Sequence, residues 1–267
     1  MKSIGLLAGV GGLPVQFARA ARGMGFSVIA IGVVPGIDPE LSQAADKTYH
    51  IGVGQLQEIL TTLKAEGVTE ITMLGKVTKE LMFTGTVALD ERIQKLLAGL
   101  TDNSDDTIML AFVREFAAEG FKILDQTALI RSLMPAPGVL TSRTPTEEER
   151  ADMDFGFKMA KEIGRLDIGQ TVVVKKCALM AAEAIEGTDA CIRRGGELGR
   201  GGVTVVKVAK PSQDLRFDVP TVGLNTIQAM CDAGSTALAV EAGKTLIVDR
   251  EKVVEMANDR GITIVAM

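Results

Sequence analysis

The sequence contains no tryptophan, one tyrosine (Tyr49) and one histidine (His50). With so few aromatic rings, a platform for stacking single-stranded bases is not expected. The formal net charge of −5 also argues against a nucleic-acid partner, because phosphate backbones are bound through accumulated Lys and Arg. A small phosphorylated ligand, which needs only a local basic cluster, stays open. The three cysteines, Cys177, Cys191 and Cys231, are far apart and form no C-x-x-C pair. One histidine cannot complete a zinc site with them at a familiar spacing, so they read as small buried thiols in a reducing compartment. No apolar run approaches the about 18 residues of a bilayer span. The N-terminal "MKSIGLLAGVGG" breaks into glycines where a signal peptide would continue. The expectation is a cytoplasmic protein.

What is present is an ordinary globular composition, 46% hydrophobic and 24% charged over 267 residues, enough for one large or two modest domains. Strand-like runs at 3–8, 26–33, 70–75 and 121–126 alternate with helical patterns at 15–25, 56–67, 90–100 and 106–120. Such alternation predicts an α/β, Rossmann-like parallel sheet over residues 1–132. The Pro- and Gly-containing segment 133–145 reads as a linker, followed by an acidic helix capped at Thr146. From 146 to 267 the pattern changes to a mixed α+β domain: strand-like runs within 168–187, 201–210, 236–249 and 262–267, and helices near 224–233 and 250–261. No internal repeat is visible.

Gly9, Gly11 and Gly12 lie between the first strand and first helix, where free N–H groups can face an anion. Pro14 stands where a dinucleotide fingerprint has its third glycine, and the end of the second strand carries Gly32, Val33 and Val34 in place of an acid. NAD binding is therefore disfavoured, and a structural turn and a phosphate contact both stay open. Asp105 and Asp106 in "TDNSDD" read first as helix caps and second as ligand or metal groups. Arg165 and Asp167 mark a helix-to-strand junction. Glu186, Thr188 and Asp189 mark a strand-to-helix turn with Arg193 and Arg194 one turn further, either a capped helix or a ligand site.

The segment "KPSQDLRFDVPTVGLNTI", 210–227, holds Lys210, Gln213, Asp214, Arg216 and Asp218 between two prolines that stiffen it. If it is extended, positions 210, 214, 216 and 218 share one side. It is then either a salt-bridged surface loop or a charged edge able to handle a phosphoanhydride. That chemistry asks for a hard cation, carboxylates to hold it and basic groups for the leaving phosphate. Any metal here has oxygen ligands, which suits Mg²⁺ or Mn²⁺.

In the order and spacing of "LAGVGGLP" (7–14), "EIGRLDIGQ" (162–170), "EGTDA" (186–190), "KPSQDLRFDVPTVGLNTI" (210–227) and "EAGKTLIVDRE" (241–251), the chain resembles the LpxI-type UDP-2,3-diacylglucosamine pyrophosphatases of lipid A synthesis nearly end to end. The resemblance implies a Rossmann-like domain linked to a catalytic C-terminal domain. It also implies Mg²⁺-dependent (or Mn²⁺-dependent) hydrolysis of UDP-2,3-diacylglucosamine to UMP and 2,3-diacylglucosamine 1-phosphate. The family's critical acid corresponds to Asp218, with Arg216 and Lys210 as catalytic companions. Asp218 and Asp214 are the implied metal ligands, Asp214 standing where relatives can carry Glu. Substrate contacts are implied for Gly9, Gly11, Gly12, Asp167, Glu186, Thr188, Asp189, Gln213, Asp214 and Thr226. "GGELGRGG" (195–202) is shorter than the family's corresponding loop. Two acyl chains call for an apolar cleft near or between the domains and transient contact with the inner-membrane surface. The resemblance further implies a homodimer. A non-catalytic nucleotide-sugar sensor is the competing function, separable by whether UMP is released. An NAD-dependent oxidoreductase is a third and weaker one.

Overall fold

The structure is a computed structural model that describes residues 2–77, 88–102, 105–211, 213, 214, 216 and 218–267. The chain divides into two compact units, Met1–Ile130 with Leu215–Phe217, and Arg131–Asp214 with Asp218–Met267.

In the first unit, β1 (Ser3–Ala8), β2 (Ser27–Gly32), β3 (Lys47–His50), β4 (Glu70–Leu74) and β5 (Lys122–Ile123) form a sheet of order β3-β2-β1-β4-β5. Every pairing is parallel. β1, β2 and β4 are buried after their first residue, as expected of strands covered on both faces. α1 (Leu13–Gly23) begins with Pro14, whose missing N–H costs nothing in a first turn. It buries Pro14, Val15, Phe17, Ala18 and Ala21, an i, i+3, i+4 stripe. Phe17 is fully buried, and its truncation to Ala would cost roughly 3–5 kcal/mol. α2 (Leu41–Ala44), α3 (Leu56–Ala65), α4 (Glu91–Ala98) and α5 (Asp105–Ala118) follow. Leu56, Ile59, Leu60 and Leu63 of α3 join Ile93 and Phe116 in the core.

The parallel sheet agrees with the sequence reading, with two differences. β3 has a half-exposed, polar surface, so nothing in its apolar content announced it. The strand expected over 121–126 pairs only at Lys122–Ile123. The side chains of Asp105 and Asp106 lie outside the described residues.

The second unit holds a six-stranded mixed sheet of order β6-β13-β11-β9-β7-β8. Its strands are β6 (Gly138–Val139), β7 (Thr171–Lys175), β8 (Ala178–Ala182), β9 (Val203–Lys207), β11 (Ser235–Val240) and β13 (Thr263–Ala266). A separate parallel pair joins β10 (Thr221–Val222) to β12 (Leu246–Ile247). α6 (Glu147–Arg165) begins with the expected Thr146 cap: Thr146 Oγ1 accepts from Glu149 N at 3.2 Å, and Glu149 Oε2 accepts from Thr146 N at 2.8 Å. Glu149 also takes a bidentate pair from Arg143. The segment 133–145, expected as a linker, is thus tied into this unit, with β6 paired to β13.

Residue alternation sorts the second sheet into two faces. Val172, Val174, Val206 and Val208 pack with Met153 and Ala160 of α6. Val173, Val203 and Val205 pack on the other face with residues of α7 (Thr188–Gly199), α8 (Leu224–Asp232) and α9 (Arg250–Asp259). "GGELGRGG" is the end of α7 and its exit, with Arg200 left-handed at φ 54°.

β7 and β8 form a hairpin whose turn residues Lys176 and Cys177 are both left-handed, at φ 51° and 55°. The nearly buried Asp152 carboxylate accepts from both turn N–H groups, at 3.1 and 2.6 Å. Cys177 is therefore exposed at a hairpin tip, and Cys231 is half-buried, so of the three thiols only Cys191 is buried as expected. Burial pushes its pKa up to about 12, which leaves it unreactive.

Candidate active site

The glycine turn belongs to the first unit, where its residues do different jobs. Gly9 donates to Leu74 O at 2.8 Å, and Val10 exchanges both hydrogen bonds with Lys76. A Cβ at Gly9 would sit 2.6 Å from Lys76 O. Gly9 is thus explained by the close approach of the loops after β1 and β4. Gly11 has φ +113° and nothing within 4 Å of a built Cβ. Gly12 is the α1 cap and offers no side chain to its amides. Gly11 and Gly12 lie beside β1 and β4, where strand order reverses.

In the second unit, the loop after β9 is held by its own polar groups. Lys210 Nζ donates to Asp167 Oδ1 at 2.6 Å, and Asp167 is left-handed at φ 56°. Lys210 N donates to Gln213 Oε1 at 2.8 Å, and Gln213 Nε2 donates to Asp218 Oδ2. Asp218 N donates to Asp214 O at 2.9 Å. The loop is therefore turned between 214 and 218 and not extended, so alternation does not order its charges as the sequence suggested. Arg216, which is grouped with the first unit, is a half-buried turn residue. Upstream, Glu241 accepts from Ala209 N at 2.9 Å and pairs with Lys161 at 2.9 Å, bracing the end of β9. Burial acts to raise the Glu241 carboxyl, but Lys244, Lys161 and the Ala209 N–H outweigh it and hold it below the usual range.

A second polar network lies at one end of the face covered by α7. Lys207 stands opposite Thr171 in the β7–β9 register, and Glu183 N extends the β8 edge onto Thr171 O at 2.9 Å. Lys207 is only 7% exposed. Its Nζ donates to Thr221 O at 2.9 Å and to Thr188 Oγ1 at 3.2 Å. Thr188 Oγ1 in turn donates to Glu183 Oε1 at 2.7 Å. Burial lowers the Lys207 pKa, while the charges of Glu183, Asp189 and Asp218 work to raise it.

The expected turn residues divide accordingly. The Thr188 hydroxyl donates to Glu183, and no side chain caps the first-turn amides of α7. Glu186 accepts from Ala184 N and Arg194, and the Arg194 guanidinium holds its carboxyl below the ordinary value. Thr226 is buried in the first turn of α8. Lys207 and Glu183 were absent from the sequence reading. The available signal was a lone Lys inside "VTVVKVA", a strand pattern whose other residues are apolar save Thr204.

Among the described residues, no group of three His, Cys, Asp or Glu side chains is arranged to hold a metal. Mg²⁺ often takes only one or two carboxylates and completes its shell with water and substrate phosphate. The hard oxygen donors Asp218 and Asp214 fit that demand. Also among the described residues, no helix is long and apolar enough to cross a membrane.

The fold and site define a two-unit α/β protein: a Rossmann-type sheet with a glycine turn after its first strand, and a mixed-sheet unit that carries a charged loop and a buried lysine. The model of the LpxI N-terminal domain matches residues 3–133, and that of the LpxI C-terminal domain matches 136–265. The chain belongs to the LpxI family. The UDP-2,3-diacylglucosamine pyrophosphatase LpxI of Caulobacter vibrioides is 34% identical over 281 residues, spanning 100% of this chain and 98% of that protein. Two solved structures align at a much lower level. N5-carboxyaminoimidazole ribonucleotide synthetase from Thermotoga maritima has a TM-score of 0.25 at 18% identity, over 65% of this chain and 38% of that one. The Hydrogenobacter thermophilus 2-oxoglutarate carboxylase biotin carboxylase domain has 0.28 at 15%, over 74% and 39%. The chain spans about two fifths of the length of these two solved chains.

Proposed function

We propose that this protein hydrolyses the pyrophosphate bond of UDP-2,3-diacylglucosamine, releasing UMP and 2,3-diacylglucosamine 1-phosphate for lipid A synthesis. The observation that carries the reading is the end-to-end likeness to the Caulobacter vibrioides pyrophosphatase, which spans both units. The loop chemistry supports it. Asp218, held by Gln213, orients the attacking water, and Lys210 and Arg216 draw off the charge that accumulates on the phosphates. The uncapped first-turn amides of α7 offer donors to a phosphate oxygen.

Asp218 and Asp214 would hold Mg²⁺ or Mn²⁺, which when bound neutralises phosphate oxygens. The protein works in the cytoplasm and touches the inner-membrane surface to collect its diacyl substrate, since each CH₂ kept from water is worth roughly 0.8 kcal/mol. A homodimer is the expected assembly, checked by light scattering.

The test is incubation with the UDP-sugar lipid and Mg²⁺, followed by detection of UMP. Tight binding of the lipid with no UMP would replace this reading by the nucleotide-sugar sensor.

A further inference from the structure

We propose that Lys207 is the positioning residue of the hydrolytic site, tying the first turn of α7 to the chain entering β10 just after Asp218. The inference rests on the hydrolytic reading above.

Lys207 has the placement this role requires. Period-two alternation along β9 gives Val203, Val205 and Lys207 the same face, the one packed under α7 and α8. An apolar residue would simply continue that core. Instead an ammonium is buried there and donates to two groups from separate segments, Thr188 Oγ1 and Thr221 O. Thr188 opens the α7 helix, and Thr221 follows Asp218 by three residues. The two segments most concerned with phosphate and with the acid are therefore joined through one side chain.

An ammonium buried for stability alone is a weak explanation, because an apolar replacement of similar volume is often as stable or more so. Glu183 is tied to the same group through the Thr188 hydroxyl, so the ammonium is one link of a hydrogen-bonded chain running from the β8–α7 turn to the strand after Asp218.

The role also explains why Thr188 carries a hydroxyl. Its oxygen accepts from Lys207 while its proton goes to Glu183, which fixes the start of the helix whose amides face outward from that turn. Lys207 thus acts through the geometry of α7 and of the Asp218 loop and does not itself touch the reacting atoms.

The test uses the full-length protein with UDP-2,3-diacylglucosamine, Mg²⁺ and UMP detection, with thermal melts on every variant. Lys207→Met should lower kcat on the order of 10²-fold, while KM shifts by less than about fivefold. Thr188→Val should reproduce part of that loss, and Thr188→Ser, which restores the hydroxyl, should recover most of it. Because Lys207→Met leaves Glu183 uncompensated, the pair Lys207→Met/Glu183→Gln provides a charge-balanced variant that should fold and remain as impaired. A folded Lys207→Met or double variant within about threefold of wild-type kcat overturns the proposal. So does a loss of kcat that tracks the fraction unfolded in every variant. Wild-type protein that releases no UMP sinks the hydrolytic reading and this inference with it. Active wild type beside an active, folded Lys207 variant sinks this inference alone.

Discussion

Gln213 holds the carboxylate of Asp218: its Nε2 donates to Oδ2, while its Oε1 accepts from the backbone of Lys210 at 2.8 Å. The accepting side is fixed by a backbone N–H, so the amide nitrogen must face the acid. The proposed acid and the backbone of the proposed phosphate-binding Lys210 are therefore set by a single planar group.

Asp218→Asn keeps size and removes charge. It should lower kcat by about 10²-fold or more, equivalent to about 3 kcal/mol, with substrate Kd changed only a few-fold. Gln213→Ala leaves the charge but frees its orientation, so a loss of roughly tenfold is expected. Asp214→Asn should be milder than Asp218→Asn. Steady-state kinetics, direct binding and melts measure all three. A folded Asp218→Asn enzyme within tenfold of wild-type kcat removes Asp218 from the mechanism.

Gly9 and Gly11 should separate by phenotype. Gly9→Ala would press a methyl onto the backbone of Gly75 and Lys76, costing about 1–3 kcal/mol in unfolding free energy. Gly11→Val meets no atoms but adopts a backbone that L residues avoid. It should fold with modest loss of stability and raise KM. An unchanged KM in folded Gly11→Val would make Gly11 a turn residue only.

Chelation tests the cation. Activity should disappear with EDTA and return with Mg²⁺ or Mn²⁺, because the available donors are carboxylate oxygens. Full turnover in chelator excludes the metal role assigned to Asp218 and Asp214.

Acid should weaken the second unit through Glu149 and Glu241. Burial pushes both carboxyls up. For Glu149 this is outweighed by Arg143 and the Thr146 backbone, and for Glu241 by Lys244 and Lys161, so both end below the ordinary value of 4.5. The folded state then binds fewer protons than the unfolded chain, and the stabilisation present above that pH is lost as pH falls through the folded values. Glu241→Gln should be about 1–3 kcal/mol less stable at pH 7. In urea titrations the gap should narrow below pH 4.5; a gap constant down to pH 3 would show that Glu241 contributes nothing through its charge.

The sequence by itself determined the parallel sheet of the first unit, because strands buried on both faces are written as apolar runs such as "SIGLLA" and "SVIAIG". It also determined the Thr146 cap, whose two partners sit three residues apart. The stiff loop bearing Lys210, Gln213 and Asp218 was legible from its prolines and charges. Tertiary structure alone decided how those charges are used. Asp167 reaches Lys210 across 43 positions, and Lys207 meets Thr188, and through its hydroxyl Glu183, across β7, β8 and β9 paired in one sheet. Such contacts leave no period in the chain. Nothing along the strand announces the role of Lys207; its neighbours in space supply the hydrogen bonds that make its burial tolerable.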